Sequence, residues 1–150
     1  MHTPFEDRLA QVSPDGKWFS YESDESGGQF EVLLRSFPDP TVRRVQISNG
    51  GGRYALWGPK GSNELYYVRP DGAMMAASVT LEPELRLGTV TKLFDWQKPP
   101  ATRSGRPFDV SPTDGRFLVT KTVTPNAGGP TQVSVVLNWT EELKRLVPNR

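Results

Sequence analysis

The sequence predicts an all-β fold built from three similar units. A Ser13-Pro14-Asp15-Gly16 turn separates two short apolar runs, and related turns follow at 58–61 and 111–115. The prolines at positions 14, 59 and 112 are therefore 45 and 53 residues apart. Fourteen glycines and fourteen prolines make the chain rich in turns. A repeat of roughly 40–50 residues with about four strands is typical of the blades of a β-propeller.

The first unit covers about residues 6–49 and contains four predicted strands. Pro14 presets φ for the first turn, and Gly16 accepts a positive φ. Apolar residues recur with period two in the last predicted strand, where Val45 and Ile47 share one face. The predicted strands are 9–12, 18–22, 30–35 and 42–47.

The second and third units cover about residues 53–98 and 106–138. Strands are predicted at 54–57, 64–68, 73–79 and 89–94, and then at 107–110, 117–123 and 132–137. Apolar residues at helical spacing predict a short C-terminal helix at about 139–147.

The third unit lacks a fourth, outer strand in this interpretation, and an N-terminal segment is expected to supply it. Three blades are fewer than the usual four to eight of a propeller. Symmetric pairing is the commonest oligomeric state, and exchange of a terminal strand is a low-cost route to it. We therefore expect a homodimer that completes a six-bladed propeller.

The composition excludes several classes of function. There is no cysteine, so disulfides and thiolate sites are excluded. The net charge of +1 argues against a dedicated partner among nucleic acids or membrane surfaces. The single histidine, His2, lies at the N-terminus, which disfavours a catalytic triad or a histidine metal site. No metal and no cofactor are expected. Without a signal peptide or membrane span, the chain is expected to be cytoplasmic if it is complete.

Three arginines form the one candidate binding site. Arg8, Arg53 and Arg106 each lie five residues before the first residue of a repeat turn. Equivalent positions in a propeller form a ring about its axis. Clustered guanidinium groups favour a carboxylate or a phosphate. The sequence therefore predicts an anion-binding ring at the mouth of a central channel, with three solvated loop arginines as the alternative.

At the Ser-Pro-Asp-Gly turns the sequence resembles a TolB-type, WD-like β-propeller repeat. Its two ends resemble the last propeller blades fused to bacterial serine/threonine protein kinases. The residues that carry this second resemblance are 13–18, 21–27, 31–32, 37–38 and 135–144. The resemblance implies a C-terminal half-propeller that serves as a sensing or protein-binding module. The chain departs from it by lacking a kinase domain and by the degenerate turn at 58–61.

The expected function is non-catalytic: a binding or scaffold module for a protein or a small anionic ligand. Two alternatives stay open at this point. The chain could be an enzyme, or an accessory domain of a hydrolase- or lyase-type propeller enzyme. It could also be a detached sensor segment of a kinase-fused propeller. Fold alone does not decide between these functions.

Overall fold

A computed structural model of the chain describes residues 4–96 and 105–121. Within these ranges the protein is all-β, and its regular elements are ten strands. The strands are β1 Asp7–Val12, β2 Trp18–Ser23, β3 Glu31–Ser36, β4 Arg44–Gln46, β5 Arg53–Trp57, β6 Glu64–Val68, β7 Ala73–Thr80, β8 Arg86–Asp95, β9 Phe108–Val110 and β10 Phe117–Val119. The described residues contain no helix that could span a membrane.

The strands form antiparallel sheets whose order follows the chain. The first sheet has the order β1-β2-β3-β4, and the second has the order β5-β6-β7-β8. Strands β9 and β10 form a third, two-stranded sheet. The prediction of two four-stranded units is confirmed, with strand ends shifted by up to three residues. The predicted strand 132–137 and helix 139–147 lie outside the described residues, and so do His2 and Thr3 of the N-terminal segment 2–5 that is expected to supply the outer strand of the third unit.

Two apolar clusters hold consecutive sheets together. In the first cluster Trp18, Val32 and Leu34 of the first sheet pack against the second sheet, which contributes Leu65 and Tyr67. In the second cluster the other face of the second sheet packs against the third sheet. That face carries Tyr54, Leu56, Tyr66, Val68, Met74 and Ala76, and it meets Phe108, Val110 and Phe117. A sheet that is apolar on both faces requires a partner on each side, so the three sheets stack in chain order.

Three tight turns, at 13–16, 70–72 and 111–115, are each stabilised by the same hydrogen bond to an aspartate. The Oδ1 atoms of Asp15, Asp71 and Asp114 accept from the backbone N–H two residues further on, at 3.1, 3.1 and 3.3 Å. This is the geometry of an Asx-turn, which explains why aspartate recurs at these positions. Within the described residues no group of three or more acidic or histidine side chains could hold a metal ion.

The second repeat turn, at 58–61, has glycine where the first has serine, and a nearby serine side chain takes the place of the missing one. In the first turn the Ser13 hydroxyl donates to the Trp18 carbonyl at 3.1 Å. Gly58 takes the place of that serine, and a Cβ atom built on it would lie 2.4 Å from the hydroxyl oxygen of Ser62. The Ser62 side chain therefore fills the space that the repeat serine leaves.

The innermost strands β1 and β5 share an irregularity one residue after their arginines. Leu9 and Tyr54 have φ values of 53° and 62°, in the left-handed region. The pairing register shifts at both places, between Arg8 and Gln11 and between Arg53 and Leu56. A bulge leaves an extra residue unpaired in the ladder. Because of the bulges, backbone N–H and carbonyl groups at 9–10 and 54–55 do not pair within their own sheets and can form hydrogen bonds to a neighbouring sheet.

The glycine-rich segment 49–52 connects the first two sheets and packs closely against the second. The Glu31 carboxylate accepts from the Gly51 N–H at 2.8 Å and from the Ser48 hydroxyl. Gly51 has a φ of +99°, and a Cβ atom there would lie 2.5 Å from Cγ of Pro70. Two constraints, backbone conformation and close approach, therefore require glycine at position 51.

Gly51→Ala should lower the free energy of unfolding by about 2–4 kcal/mol, because left-handed strain and overpacking add together. The matched control is Gly50→Ala, whose φ is +82° but whose added Cβ atom meets nothing within 4 Å. We expect this control to cost about 1 kcal/mol, from backbone strain alone. Urea unfolding of both variants measures the difference, and equal losses would contradict the close-packing interpretation.

Candidate functional site

The three predicted arginines are brought together around one buried carboxylate. Arg8 lies in β1, Arg53 begins β5, and Arg106 lies two residues before β9. All three side chains are partly buried rather than solvated. Each acts electrostatically on Glu22 of β2 or responds to it. We call Arg8, Glu22, Arg53 and Arg106 the arginine cluster.

Glu22 lies at the centre of the cluster with a side chain that is 0% exposed. One carboxylate oxygen accepts from the backbone N–H of Tyr54, which belongs to the second sheet. The other accepts from Nε of Arg8 at 3.2 Å, within the first sheet. Burial raises the pKa of Glu22, while the Tyr54 N–H, Arg8 and Arg53 oppose that rise. Glu22 therefore links two sheets at a position where its charge costs desolvation energy.

Arg8 is also fixed by an aromatic ring. Its guanidinium carbon lies 3.5 Å from the centroid of Phe30, and that of Arg53 lies 5.5 Å from the same centroid. A guanidinium group over an aromatic face is attracted by the negative charge of the ring face. Phe30 therefore contacts arginines of two different sheets without neutralising the charge of either.

Arg53 has no carboxylate opposite it in its own sheet. In the first sheet Arg8 pairs with Glu22, whereas in the second sheet Arg53 pairs with Val68. Its Nε atom is buried and has no hydrogen-bond partner among the described residues. The same is true of Nη2 of Arg8. Two buried donors of the cluster therefore lack acceptors, which is rare in folded proteins because it costs desolvation energy.

Arg106 binds backbone carbonyl groups of both other sheets. Its Nη2 donates to the Leu9 carbonyl at 2.8 Å, and its Nε donates to the Ala55 carbonyl. Both acceptors lie in the bulges of the innermost strands. Burial lowers the pKa of Arg106, and the charges of Glu22 and Asp109 oppose this effect. Its role in the structure is to tie three sheets together at their inner edges.

The cluster is markedly positive in sum. Arginine stays protonated in proteins, so three guanidinium groups face the single enclosed carboxylate of Glu22. Two further carboxylates lie at the margin. Glu6 reaches Nη1 of Arg8 at 3.5 Å but is 62% exposed, and Asp109 acts on Arg106. An excess of positive charge suits an anion.

The sequence predicted the three arginines but missed two residues of the site. Glu22 and Phe30 come from β2 and from the loop before β3, far from the repeat position that singled out the arginines. The sequence does contain one signal for Glu22. It is a charged residue at the end of the predicted strand 18–22, whose other residues are typical of a buried core. Nothing comparable distinguishes Phe30 from an ordinary core aromatic residue.

A second concave surface lies at the other end of β1. A cleft of about 550 Å³ is bounded by the first two repeat turns and by the β7–β8 connection. Its lining includes Pro14, Lys60 and Glu82. Lys17 bridges the two sheets there through an ion pair with Glu82 at 2.6 Å, between side chains that are 62% and 64% exposed. An exposed pair of this kind contributes little free energy, so the cleft is a weaker candidate than the arginine cluster.

Comparisons with protein families, with curated proteins and with solved structures find no match to this chain.

Proposed function

We propose that this chain is a non-catalytic binding module that takes a small anionic ligand at the arginine cluster. The observation that supports this most directly is the gathering of Arg8, Arg53 and Arg106 around the single enclosed carboxylate of Glu22. Three guanidinium groups against one enclosed carboxylate leave an excess of positive charge where the sheets meet, and an anion would offset it. The arginines stay partly accessible, since the Arg8 side chain is 19% exposed.

Binding suits the chemistry of the cluster better than catalysis. Guanidinium groups stay protonated near neutral pH, so they serve as fixed donors rather than as acids or bases. The one titratable group, Glu22, is fully enclosed and is engaged by Tyr54 and Arg8. A rigid set of charged donors around an enclosed carboxylate is suited to holding an anion.

The architecture that we propose for the module is a half-propeller of TolB-type, WD-like blades that pairs with a second copy. Two four-stranded antiparallel sheets stack through apolar faces, with β1 and β5 adjacent at their inner edges. Trp57 of β5 donates to Gln11 of β1 at 3.3 Å. This arrangement is consistent with blades placed around an axis, and closure into six blades requires two chains.

Light scattering across a dilution series tests the pairing. We expect a mass near twice the 16.7 kDa of the chain, because three blades are too few to close a ring. A mass of one chain at every concentration would contradict the dimeric six-bladed propeller. It would not affect the anion site, which lies within one chain.

Arg53→Gln should abolish or strongly weaken binding of inorganic sulfate, measured by isothermal titration calorimetry at low ionic strength. Arg53 is the informative position because it has no ion pair among the described residues, so its loss should not unfold the chain. Losing a charged hydrogen bond to an anion costs about 1.5–3 kcal/mol, which is roughly a 10- to 150-fold loss of affinity.

The matched control is Arg86→Gln, since Arg86 is exposed in β8 and has no ion pair in the described part of the chain. It removes the same net charge at a distance from the cluster, so general electrostatic attraction falls equally in both variants. Equal sulfate affinity for the wild type, Arg53→Gln and Arg86→Gln would refute the proposed site. Absence of sulfate binding to the wild type would refute it too.

A further inference from the structure

We infer that two copies of this chain bind head to tail, with the uncovered face of the third sheet of each copy packed against the uncovered face of the first sheet of the other. This inference rests on the proposed pairing of two chains and names the surfaces that form it. It does not involve the arginine cluster, which lies between sheets of one chain.

Each sheet has a leading face, turned toward the sheet before it in the chain, and a trailing face, turned toward the sheet after it. In the second sheet Trp57 and Leu65 lie on the leading face and belong to the apolar cluster shared with the first sheet. Leu56 and Tyr66 lie on the trailing face and belong to the cluster shared with the third sheet. The second sheet is therefore covered on both sides within one chain. Among the described residues, no sheet covers the leading face of the first sheet or the trailing face of the third.

The last residue of each innermost strand shows what the missing sheet leaves uncovered. Val12, Trp57 and Val110 are equivalent, because each ends the innermost strand of its sheet and lies on the leading face. Trp57 and Val110 are only 7% and 9% exposed, since the preceding sheet packs against them. Val12 is 47% exposed. The first sheet therefore lacks the cover that the other two sheets have at the same position.

Leu118 shows the same deficit on the trailing face of the third sheet. It pairs with Asp109 just as Tyr66 pairs with Leu56 in the second sheet. Tyr66 is 5% exposed because the third sheet covers it, whereas Leu118 is 46% exposed. A groove of about 370 Å³ lies beside Leu118, and its lining includes Asp109 and Thr120. The trailing face of the third sheet thus offers a concave surface with an apolar residue at its edge.

The leading face of the first sheet carries an apolar patch near the first turn. Phe19 lies opposite Val12 across the strand pair, and the Phe37 ring meets it edge-on with the centroids 6.5 Å apart. Phe37 is 46% exposed. Farther along the same face the Tyr21 hydroxyl accepts from Arg35, so the patch is confined to the turn end. The terminal units of stacked repeats usually have polar outer faces, and an apolar end of this kind favours a further sheet as its cover.

Asp109 supplies the polar contact that accompanies this packing between the first two sheets. Gln11 and Asp109 are equivalent, since each precedes the last residue of its innermost strand. Oε1 of Gln11 accepts from the Trp57 N–H at 3.3 Å. Because Val12 is equivalent to Trp57, the Asp109 carboxylate is placed to accept from the Val12 N–H of a second copy. The exposed position of Asp109 in β9 leaves it accessible for this contact.

A second copy of the chain is the occupant that these equivalences favour. The two uncovered faces are the two halves of a contact that already occurs twice within one chain, between the first and second sheets and between the second and third. A head-to-tail contact produces a closed ring when its rotation completes a circle. With three blades in each chain, two copies form six blades and bury both pairs of uncovered faces.

Light scattering of two charged variants tests the inference. Val12→Lys and Leu118→Glu should each raise the dissociation constant of the dimer at least about a hundredfold, because each places an unpaired charge in an apolar contact. An equal mixture of the two variants should regain the mass of two chains. One contact of the mixed dimer joins two unaltered faces, and the other brings opposite charges together. A dimer in which each face packs against its own copy does not recover on mixing.

The matched control is Val90→Lys. Val90 is 46% exposed, as Leu118 is, but it lies in β8 of the second sheet, whose two faces are already covered within the chain. We expect this control to keep the mass of the wild-type dimer.

The outcomes separate the surfaces from the pairing itself. If the wild type has the mass of two chains and either charged variant keeps it, the pairing stands and these surfaces are overturned. If both variants have the mass of one chain and the mixture does too, the head-to-tail arrangement is overturned. A wild type that is monomeric at every concentration overturns the pairing and this inference together, while the anion site is tested separately by sulfate binding.

A cysteine pair decides the question if a charged variant does not fold. The chain has no cysteine, so the double variant Val12→Cys, Asp109→Cys contains only the two introduced thiols. Mild oxidation should join two chains through a disulfide that a reducing agent cleaves. Absence of linked chains in a sample with the mass of two chains overturns the inference.

Discussion

The buried carboxylate of Glu22 is the constraint on which the inner edge of the molecule depends. It is fully enclosed, and it is bound at once by an arginine of its own sheet and by a backbone N–H of the next sheet. Removing one partner of a buried charge typically costs about 3–5 kcal/mol. The bulge in β5 is needed for the contact, because it releases Tyr54 from the β5–β6 ladder. One charge therefore accounts for the arginine of the first unit and for the bulge of the second.

Apolar contacts join the broad faces of the sheets, and polar contacts join their inner edges. The broad faces of the sheets are joined by two apolar clusters, which provide most of the burial but little directional specificity. The inner edges are joined by hydrogen bonds from Arg106 to Leu9 and Ala55 and from Tyr54 to Glu22. Directional bonds of this kind fix how the stacked sheets are set relative to one another. They also concentrate positive charge where the sheets meet, so the same residues that order the fold create the candidate anion site.

Most of the described strands could be predicted from the sequence, because turn residues and alternating apolar residues are local signals. The turns at Asp15, Asp71 and Asp114 belong to this class. Contacts between units could not be predicted in the same way. Nothing local reveals that Tyr54 adopts a φ of 62° and donates to Glu22, 32 residues earlier in the chain. The repeat spacing singled out the arginines, but it could not show that one of them faces a glutamate and another a valine.

Tyr21 shows the same limit within a single strand. An aromatic side chain in a predicted strand is expected to pack in the apolar core between sheets. The structure instead places it in neither apolar cluster, and its hydroxyl accepts from Nε of Arg35 at 2.8 Å. Alternation along β2 turns Tyr21 to the face opposite Trp18, where its ring centroid lies 5.5 Å from that of Phe19. The residue type predicts that this side chain is buried, but it does not predict which residues the side chain contacts.

The central claim is that polar contacts at the inner edges join all three sheets. Amide hydrogen exchange on the wild type and on Arg106→Met tests it most directly, because this variant removes donors to the Leu9 and Ala55 carbonyls while keeping a side chain of similar length. The account predicts faster exchange in β1 and β5 as well as in β9, since each loses a shared contact. Faster exchange confined to the segment around residues 105–110 would contradict it.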